Sequence, residues 1–372
     1  MEHTSRNCLK EIIMKVVEVN NQEDIKRFLA LSFEVYKGNP YWVSQIDSHI
    51  ASFLEGTSIF CKHCKTKAFL VCDVKGVVLG RIMAQIDYVF NWHWGEGIGH
   101  LLFFEAKPDH SEAVEILFLS ACNWLKEEKM DQARLAYLHG RQLPLTTDGY
   151  NDPPLAHHTY NPKYYHHYLQ ICDFEKEHEF VESHIQLSSE WINKYHEFIK
   201  IGEKQGITLR PINRENLRYE TKEFQKLHNR TFSQHWGSTQ LNYEETELLT
   251  SETLADIVFA EYQGKPIGFG LSFPDINQVA RGSELKILKR DSVLSEPRIT
   301  RGNIFIAGVY KEFRSKGVVR SISSKLLINM SKKGYKTATH SIAMKSNTPS
   351  IRFAQKLGAH PKKHYVTYMK KL

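Results

Sequence analysis

NIFIAGVYKEFRSKGVVR, which occupies residues 303–320, is the stretch that decides the fold. Its apolar run at 303–310 predicts a buried strand, and a helix is predicted to follow at 317–333. The turn Arg314-Ser315-Lys316-Gly317 joins them, and Gly317 lets the backbone approach a bulky anion. The first amides of such a helix have no intrahelical acceptor, and Arg314, Lys316 and Arg320 add positive charge. The stretch predicts a pyrophosphate cradle; the plain alternative is a strand–helix connection with a solvated basic face.

The elements predicted around this stretch occur twice along the chain. In the second copy they are a helix at 216–232, a strand pair at 256–273, a strand at 303–310, a helix at 317–333, a strand at 337–344, a helix at 348–357 and a strand at 364–370. In the first copy they are a strand from Met14, a helix at 24–36, a strand pair at 67–87, a strand at 101–105, a helix at 111–128, a strand at 133–138 and a helix at 161–169. This alternation predicts a mixed α/β fold. We expect a tail at 1–13 and two tandem domains at 14–190 and 191–372, each a twisted mixed sheet flanked by helices.

A second motif follows the turn. Asn347 is followed by Ser350, Leu357 and Gly358, and then by the last predicted strand. With Arg314 and Gly317, these residues resemble the signatures of the GNAT superfamily of acyl-CoA-dependent N-acyltransferases. The resemblance implies that acetyl-CoA or a longer acyl-CoA is the co-substrate and that no metal takes part. The cofactor-binding positions it implies are Ile306, Gly308, Val309, Arg314, Ser315, Lys316, Gly317, Val318, Arg320, Asn347 and Ser350.

Three positions depart from the superfamily's pattern. Val319 stands where the turn usually ends in Gly or Ala, and its side chain is expected to crowd the pyrophosphate. Ala354 stands where many members have the Tyr that protonates the leaving thiolate, and Ala359 replaces a Phe. The resemblance therefore implies an N-acyltransferase that moves an acyl group from acyl-CoA, or a related pantetheine thioester, to a primary amine of a small molecule or lipid-like acceptor. The departures keep open an alternative, a catalytically inactive protein that binds acyl-CoA as a sensor or scaffold.

Segments along nearly the whole chain resemble a group of bacterial proteins built from two GNAT-like domains. These segments lie at 39–44, 78–84, 102–105, 148–154, 160–165, 229–237, 264–269 and 273–278. The first half has no counterpart of the phosphate turn, because residues 104–111 offer neither its Gly nor a basic run. Glu105 and Asp109 would instead repel a pyrophosphate. We expect the first domain to shape the acceptor groove without binding the cofactor.

The catalytic groups are predicted from polar residues near the strand ends. Asp275 follows the hairpin strand as a candidate base, although Asp after Pro is also ordinary turn chemistry. His340 lies on the strand after the phosphate helix and is a candidate because an imidazole titrates near neutrality, although strand histidines are more often structural. Tyr368, or else Tyr365, is the candidate replacement for the missing acid. Trp236 and the aromatic residues of 160–165 either line the groove or pack in the core.

The charge of the chain is unevenly distributed. Its 49 Lys and Arg outnumber 42 Asp and Glu, giving a net charge of +7. Residues 301–372 hold sixteen basic residues and one acidic residue, Glu312. Such a segment predicts an anionic partner. The cradle residues account for part of the excess positive charge. An anionic membrane surface is a further candidate partner. Nucleic acid is not expected, because no known nucleic-acid-binding motif is present.

Composition excludes several other classes. The longest apolar runs are far shorter than the roughly 20 residues that span a bilayer, so no transmembrane segment is expected. The polar start of the chain predicts no secretory signal, and six cysteines are too sparse for a disulfide scaffold. Cys61 and Cys64 form a CxxC without a second pair, so a metal site is not predicted. We expect a cytoplasmic protein.

Overall fold

The computed structural model describes residues 14–44, 47–136, 144–156, 158, 160–252, 254–280 and 296–372. The first part of the chain contains β1 Lys15–Glu18, α1 Gln22–Val35, α2 Asp47–Leu54, β2 Cys64–Cys72, β3 Val78–Asp87, α3 Tyr88–Trp94, β4 Ile98–Ala106, α4 Ser111–Glu127, β5 Gln132–Leu135, β6 Leu145–Asp148, α5 Tyr165–Ile171 and β7 Glu175–Gln186. The second part contains α6 Ser189–Lys204, β8 Ile207–Pro211, α7 Leu217–Phe232, α8 Tyr243–Ser251, β9 Asp256–Tyr262, β10 Lys265–Pro274, α9 Asn277–Ala280, β11 Arg301–Val309, α10 Val318–Lys332, β12 Thr337–Met344, α11 Thr348–Lys356 and β13 Ala359–Lys371.

All strands of the described chain belong to one mixed sheet. Their order is β1-β2-β3-β4-β5-β13-β7-β12-β11-β10-β9-β8, and β6 pairs with β13 outside this path. The parallel neighbours are β4 with β5 and β11 with β12, which occupy equivalent places in the two halves. The prediction of a mixed α/β fold flanked by helices is therefore confirmed, and among the described residues the strands of both halves form one continuous sheet.

The two halves exchange their last strands. β13 comes from the end of the chain but lies between β5 and β7, and it pairs with β5 from Tyr368 to Lys371. β7 ends the first half but pairs antiparallel with β12. The helix α6, which follows β7, packs on α10 of the second half, where the side chain of Ser321 donates to the Phe198 carbonyl. The halves are consequently joined by sheet hydrogen bonds as well as by side-chain contacts.

Hydrophobic side chains cover both faces of each half of the sheet. In the second half, one cluster joins α10 and α6 to the sheet through residues such as Ile304, Ile322 and Leu326. The other joins α7 to the opposite face through residues such as Phe224 and Phe269. Glycines allow the helix to approach, since a Cβ on Gly270 would lie 2.4 Å from Ile322. The sheet of the second half thus has an α10 face and an α7 face.

Candidate active site

The strands β11 and β12 run side by side for four residues and then separate. Their pairing extends from Arg301 with Thr337 to Ile304 with His340. Beyond these positions β11 continues to pair only with β10, and β12 only with β7. The backbone of β11 after Ile304 therefore has a hydrogen-bonding edge facing a wedge between the two strands. A bound chain can occupy such an edge, because buried amides and carbonyls require partners.

The wedge opens toward the turn at 314–317. Gly317 is in the left-handed conformation, with φ of 73°, and it directly precedes α10. Its missing side chain leaves space, since the nearest heavy atom to an added Cβ is a terminal nitrogen of Arg320 at 3.4 Å. The Arg320 guanidinium lies 4.7 Å from the ring of Phe198. Its Nε is buried and has no hydrogen-bond partner among the described residues.

These features fit an anionic ligand. The first amides of α10 lack intrahelical acceptors, and Arg314, Ser315 and Lys316 are exposed beside them. A phosphate at this helix start would also supply the acceptor that Arg320 lacks. Val318, the first residue of α10, is buried. Val319, which the sequence predicted to crowd this site, packs against the core cluster shared by α10 and α6.

The backbone of β11 lies close to the end of α7. A Cβ on Gly308 would lie 2.7 Å from Cγ2 of Thr231 and 2.9 Å from the ring of Phe232, so only glycine fits here. Ile306 packs with the α7 cluster, and Val309 is buried in the α10 cluster. Of the implied cofactor positions of β11, Ile306 and Gly308 thus lie on the α7 side of the sheet, and Val309 lies on the α10 side.

The second motif has a structural account. Asn347 caps α11, because its side chain accepts a hydrogen bond from the Ser350 amide at 3.3 Å. Gly358 has a φ of 84°, and a Cβ there would lie 2.6 Å from Trp191. Ala354 is buried in the α10 cluster. The position where many GNAT proteins carry a tyrosine hydroxyl therefore holds only a methyl group in the core.

Tyrosine hydroxyls bond backbone groups beside the equivalent wedge of the first half. β4 and β5 also separate after four pairs, beyond Leu101 and Leu135. Just past this point, the Tyr165 hydroxyl lies 2.9 Å from the Ala106 amide and 2.5 Å from the Glu105 carboxylate, and the Tyr164 hydroxyl donates to the Ala106 carbonyl. The Tyr168 hydroxyl bonds the Lys107 carbonyl and the His110 amide in the turn before α4. The side chains of Tyr164, Tyr165 and Tyr168 thus use backbone groups that a ligand could otherwise bond.

Asp275 is fully committed to other protein groups. Its carboxylate is 1% exposed and accepts hydrogen bonds from the Arg301 guanidinium, at 2.8 Å from Nε, and from the Ala156 amide at 3.0 Å. Arg301 also donates to the Pro153 carbonyl. The pair therefore fastens the loop 152–156 of the first half to the start of β11.

His340 and Tyr368 lie in different parts of the sheet. His340 is the last residue of β12 paired with β11, and its ring lies 6.2 Å from Phe353 of α11. Tyr368 lies on β13 beside Leu135, in the core of the first half, and its hydroxyl bonds His166 at 2.8 Å. The structure does not bring the three predicted catalytic residues together. His340 alone among them lies where β11 and β12 separate.

A polar cluster that the sequence did not indicate lies beside this point. The Glu182 carboxylate of β7 is completely buried and bonds Nε2 of His184, Nδ1 of His158 and the Tyr365 hydroxyl at 2.6–2.9 Å. Lys363 donates to the carbonyls of Asp152 and Pro153. Sequence spacing could not reveal the cluster, because β7, β13 and the loop 152–158 are distant along the chain.

Electrostatics keep Glu182 charged. Burial by itself would raise the pKa of this carboxyl, but hydrogen bonds from His158 and His184 and the charge of Lys363 outweigh it and hold the pKa well below the usual range. Burial and the adjacent Glu182 charge raise the pKa of Tyr365 well above its ordinary value. Burial lowers the pKa of Lys363 in spite of the nearby carboxylates. The cluster thus contains a fixed carboxylate with neutral Tyr365 as a donor.

Trp236 contacts side chains of β7 and β5. It follows α7 and lies 4.5 Å from the ring of His178 and 5.7 Å from Phe180 of β7. The Arg134 guanidinium of β5 lies 5.2 Å from the Trp236 ring. Trp236 therefore packs on side chains of β7 and β5.

Two groups in the described chain have ligand atoms close enough to hold a metal. One comprises His63, Cys64 and Asp87, and the other Asp152, Glu182 and His184. In the first, the ring nitrogens of His63 already bond Asp87 and Glu245. In the second, Lys363 lies 3.5 Å from Asp152. Both arrangements are satisfied by ion pairs within the protein.

Known proteins resemble this chain in sequence. Residues 221–359 match the model of the acetyltransferase (GNAT) family. Protein YghO of Escherichia coli (strain K12) is 21% identical over 375 residues, which cover 95% of this chain and 94% of that protein. The bacterial ceramide synthase of Caulobacter vibrioides (strain NA1000 / CB15N) is 22% identical over 381 residues, which cover 96% and 98% of the two chains.

A solved structure shares the fold at greater distance. A tandem GNAT protein from the clavulanic acid biosynthesis pathway matches 96% of this chain and 98% of its own length, with a TM-score of 0.57 and 11% identity. Among the described residues, no helix has the length and apolar character needed to traverse a bilayer.

Proposed function

We propose that the protein is an N-acyltransferase, because residues 221–359 match the model of the acetyltransferase (GNAT) family. It transfers an acyl group from acyl-CoA, or a related pantetheine thioester, to a primary amine. The observation that carries the proposal is the wedge between β11 and β12, which opens onto the glycine turn before α10.

Different residues of the wedge bind different parts of the thioester. Gly317, the first amides of α10, Arg314, Ser315, Lys316 and Arg320 hold the phosphates. The free edge of β11 from Ile306 to Val309 pairs with the amides of the pantetheine arm, and a backbone amide of this strand receives the thioester oxygen. His340, which lies where β11 and β12 separate, is nearest to the thioester group of the bound acyl-CoA. Asp275 holds the loop 152–156 in place and does not act as the base.

We place the cofactor in the second half alone. The domains divide near residue 190, with the first at 14–190 and the second at 191–372. The tyrosines of α5 support this assignment, because they already bond Ala106 and the turn before α4. The first half contributes its loop 152–156, His158 and β7 to the acceptor side of the site.

The acceptor is proposed to be lipid-like. The resemblance to a bacterial ceramide synthase along nearly the whole chain supports this, since a ceramide is the amide of a fatty acid and a long-chain amine. Contact with an anionic membrane would bring such an acceptor within reach. The basic residues of 301–372 supply attraction for it, and the described cysteines, which are all free thiols, agree with work in the reducing cytoplasm.

The test is a turnover assay on the full chain. Acetyl-CoA and palmitoyl-CoA are each offered with a short alkylamine, a long-chain alkylamine and a long-chain amino alcohol, and thiol release is measured beside the mass of the amide product. We expect a product of acyl-amine mass with at least one pair. Binding of acyl-CoA without any amide product would favour the sensor or scaffold alternative, which the buried methyl group of Ala354 motivates.

A further inference from the structure

Three polar side chains form a row across β11, β12 and β7. Asn303 pairs with Thr339, and Thr339 pairs with His184. The residues next to them, Ile304, Ala338 and Ile185, belong to the α10 cluster. Because side chains alternate along strands, Asn303, Thr339 and His184 all lie on the α7 face. The row is one residue from the point where β11 and β12 separate.

Two members of the row have unused acceptors. Oδ1 of Asn303 and Oγ1 of Thr339 are buried and have no hydrogen-bond partner among the described residues. Asn303 is 4% exposed and Thr339 is fully buried. Unpartnered polar atoms cost stability, and adjacent ones on one face of a sheet indicate a ligand that completes them.

The third member is oriented by a buried carboxylate. Nε2 of His184 lies 2.9 Å from Oε1 of Glu182, which also binds His158 and Tyr365. The side chain of His184 is 21% exposed, while that of Glu182 is fully buried. A carboxylate that holds one ring nitrogen protonated leaves the other, Nδ1, as a proton acceptor.

We propose that the row Asn303–Thr339–His184 binds the acceptor's head group, and that this head group is an amine with a neighbouring hydroxyl. The inference rests on the proposed N-acyltransferase function and names its acceptor class. The oxygens of Asn303 and Thr339 accept from the hydroxyl and the amine, and His184 takes the proton that the ammonium must lose. Neighbouring strands lie about 4.8 Å apart, so the row spans about 10 Å, which suits a small head group.

The reaction balances with this assignment. The ammonium gives one proton to Nδ1 of His184, and the nitrogen lone pair then attacks the thioester carbon. The carbon–sulfur bond breaks, its electron pair stays on sulfur, and the thiolate takes the second nitrogen proton. The products are an amide, a free thiol and one proton, which His184 releases to solvent.

Thr339→Val tests the head-group site. The substitution removes an unpartnered hydroxyl, so it should leave the unfolding temperature unchanged or raise it. It should raise the KM of an amino alcohol by about tenfold and reduce its preference over the matching amine without hydroxyl, because one hydrogen bond is lost. Ser324→Ala is the matched control, since Ser324 is another buried hydroxyl without a partner but lies on α10. Equal kinetics for both variants and the original protein would overturn the site.

His184→Ala tests the proton acceptor. We expect kcat/KM to fall about 100- to 1,000-fold, with an unchanged dissociation constant for acyl-CoA, and added imidazole to restore part of the rate. A loss that imidazole does not restore, or no loss, would refute the role of His184. If the original protein forms no amide with any amine, the proposed function fails first and this inference fails with it. If the protein is active and neither Thr339→Val nor His184→Ala changes its kinetics, the head-group site is refuted while the proposed function stands.

Discussion

Arg301 and Asp275 form a buried ion pair, with Nε and Nη2 of the guanidinium 2.8 and 2.7 Å from one carboxylate oxygen. Asp275 is 1% exposed and Arg301 is 7% exposed. The pair connects β11 to the loop 152–156, since Asp275 also accepts from the Ala156 amide. Removing either member of the pair would leave the other charge buried and unpaired, which lowers the stability of the fold.

Asp275→Asn should lower the free energy of unfolding by about 3 kcal/mol, because it leaves the Arg301 charge unpaired. Denaturant unfolding measures the change, with Glu312→Gln as the control. Glu312 pairs with Arg230 at the surface, so its loss should cost less than about 1 kcal/mol. A kcat that falls more than 100-fold while stability stays unchanged would instead make Asp275 the base.

Gly317→Glu should raise the dissociation constant for CoA more than 100-fold, because it places a negative charge among the amides at the start of α10. Calorimetric titration measures the affinity. Gly334→Glu is the matched control, since Gly334 follows the other end of α10, has a φ of 87° and has no atom within 4 Å of an added Cβ. Both variants carry the same charge and backbone strain. Equal affinities would show that the phosphates bind elsewhere.

The chain should bind one CoA. The hydroxyl of Tyr165 is near the Ala106 amide and the Glu105 carboxylate inside the first half. Tyr165→Phe should lower the free energy of unfolding by about 1–3 kcal/mol, since those groups lose a partner. The stoichiometry from titration should stay at about one per chain. Two equivalents for the original protein would contradict the assignment of the first half.

The stability contributed by His63 should decline at alkaline pH. Hydrogen bonds with Asp87, Cys64 and Glu245 raise the pKa of His63 to about 12. A group whose pKa is raised by folding contributes its full stabilisation of the folded state below its unfolded pKa, here near 6.5. This contribution falls as the pH rises toward the folded pKa.

The stability advantage of the original protein over His63→Gln should therefore shrink above about pH 6.5, by at most about 1.4 kcal/mol per pH unit. Denaturant unfolding at pH 6, 8 and 9.5 measures it, with His196→Gln, at an exposed position of α6, as the control. A constant difference between the original protein and His63→Gln would refute the coupling.

The turn and helix start of the proposed cradle could be predicted from sequence because they are local. Arg314, Gly317 and the start of α10 are contiguous, and the predicted strand at 337–344 and helix at 348–357 differ from the structure by at most one residue. The order of chemical groups along such a segment is also their order in space. The mixed α/β class followed from the same local alternation.

The polar row could not be predicted, because its members come together only through strand pairing. The β7 segment, residues 175–186, was not predicted as a strand, since charged and apolar residues do not alternate regularly in it. His184 and Glu182 consequently carried no signal. Asp275 was singled out as a candidate base because it lies near a strand end, and sequence could not show that its carboxylate pairs with Arg301.

The exchange of β7 and β13 has a consequence for synthesis on the ribosome. The first half needs β13 between β5 and β7, so its sheet is incomplete until residues 359–371 leave the exit tunnel. The two halves of this chain therefore cannot complete their folding one after the other during translation. The first half must wait, with the edge of β5 unpaired, for the last strand to be made, and it is exposed to chaperones or to aggregation for most of that time.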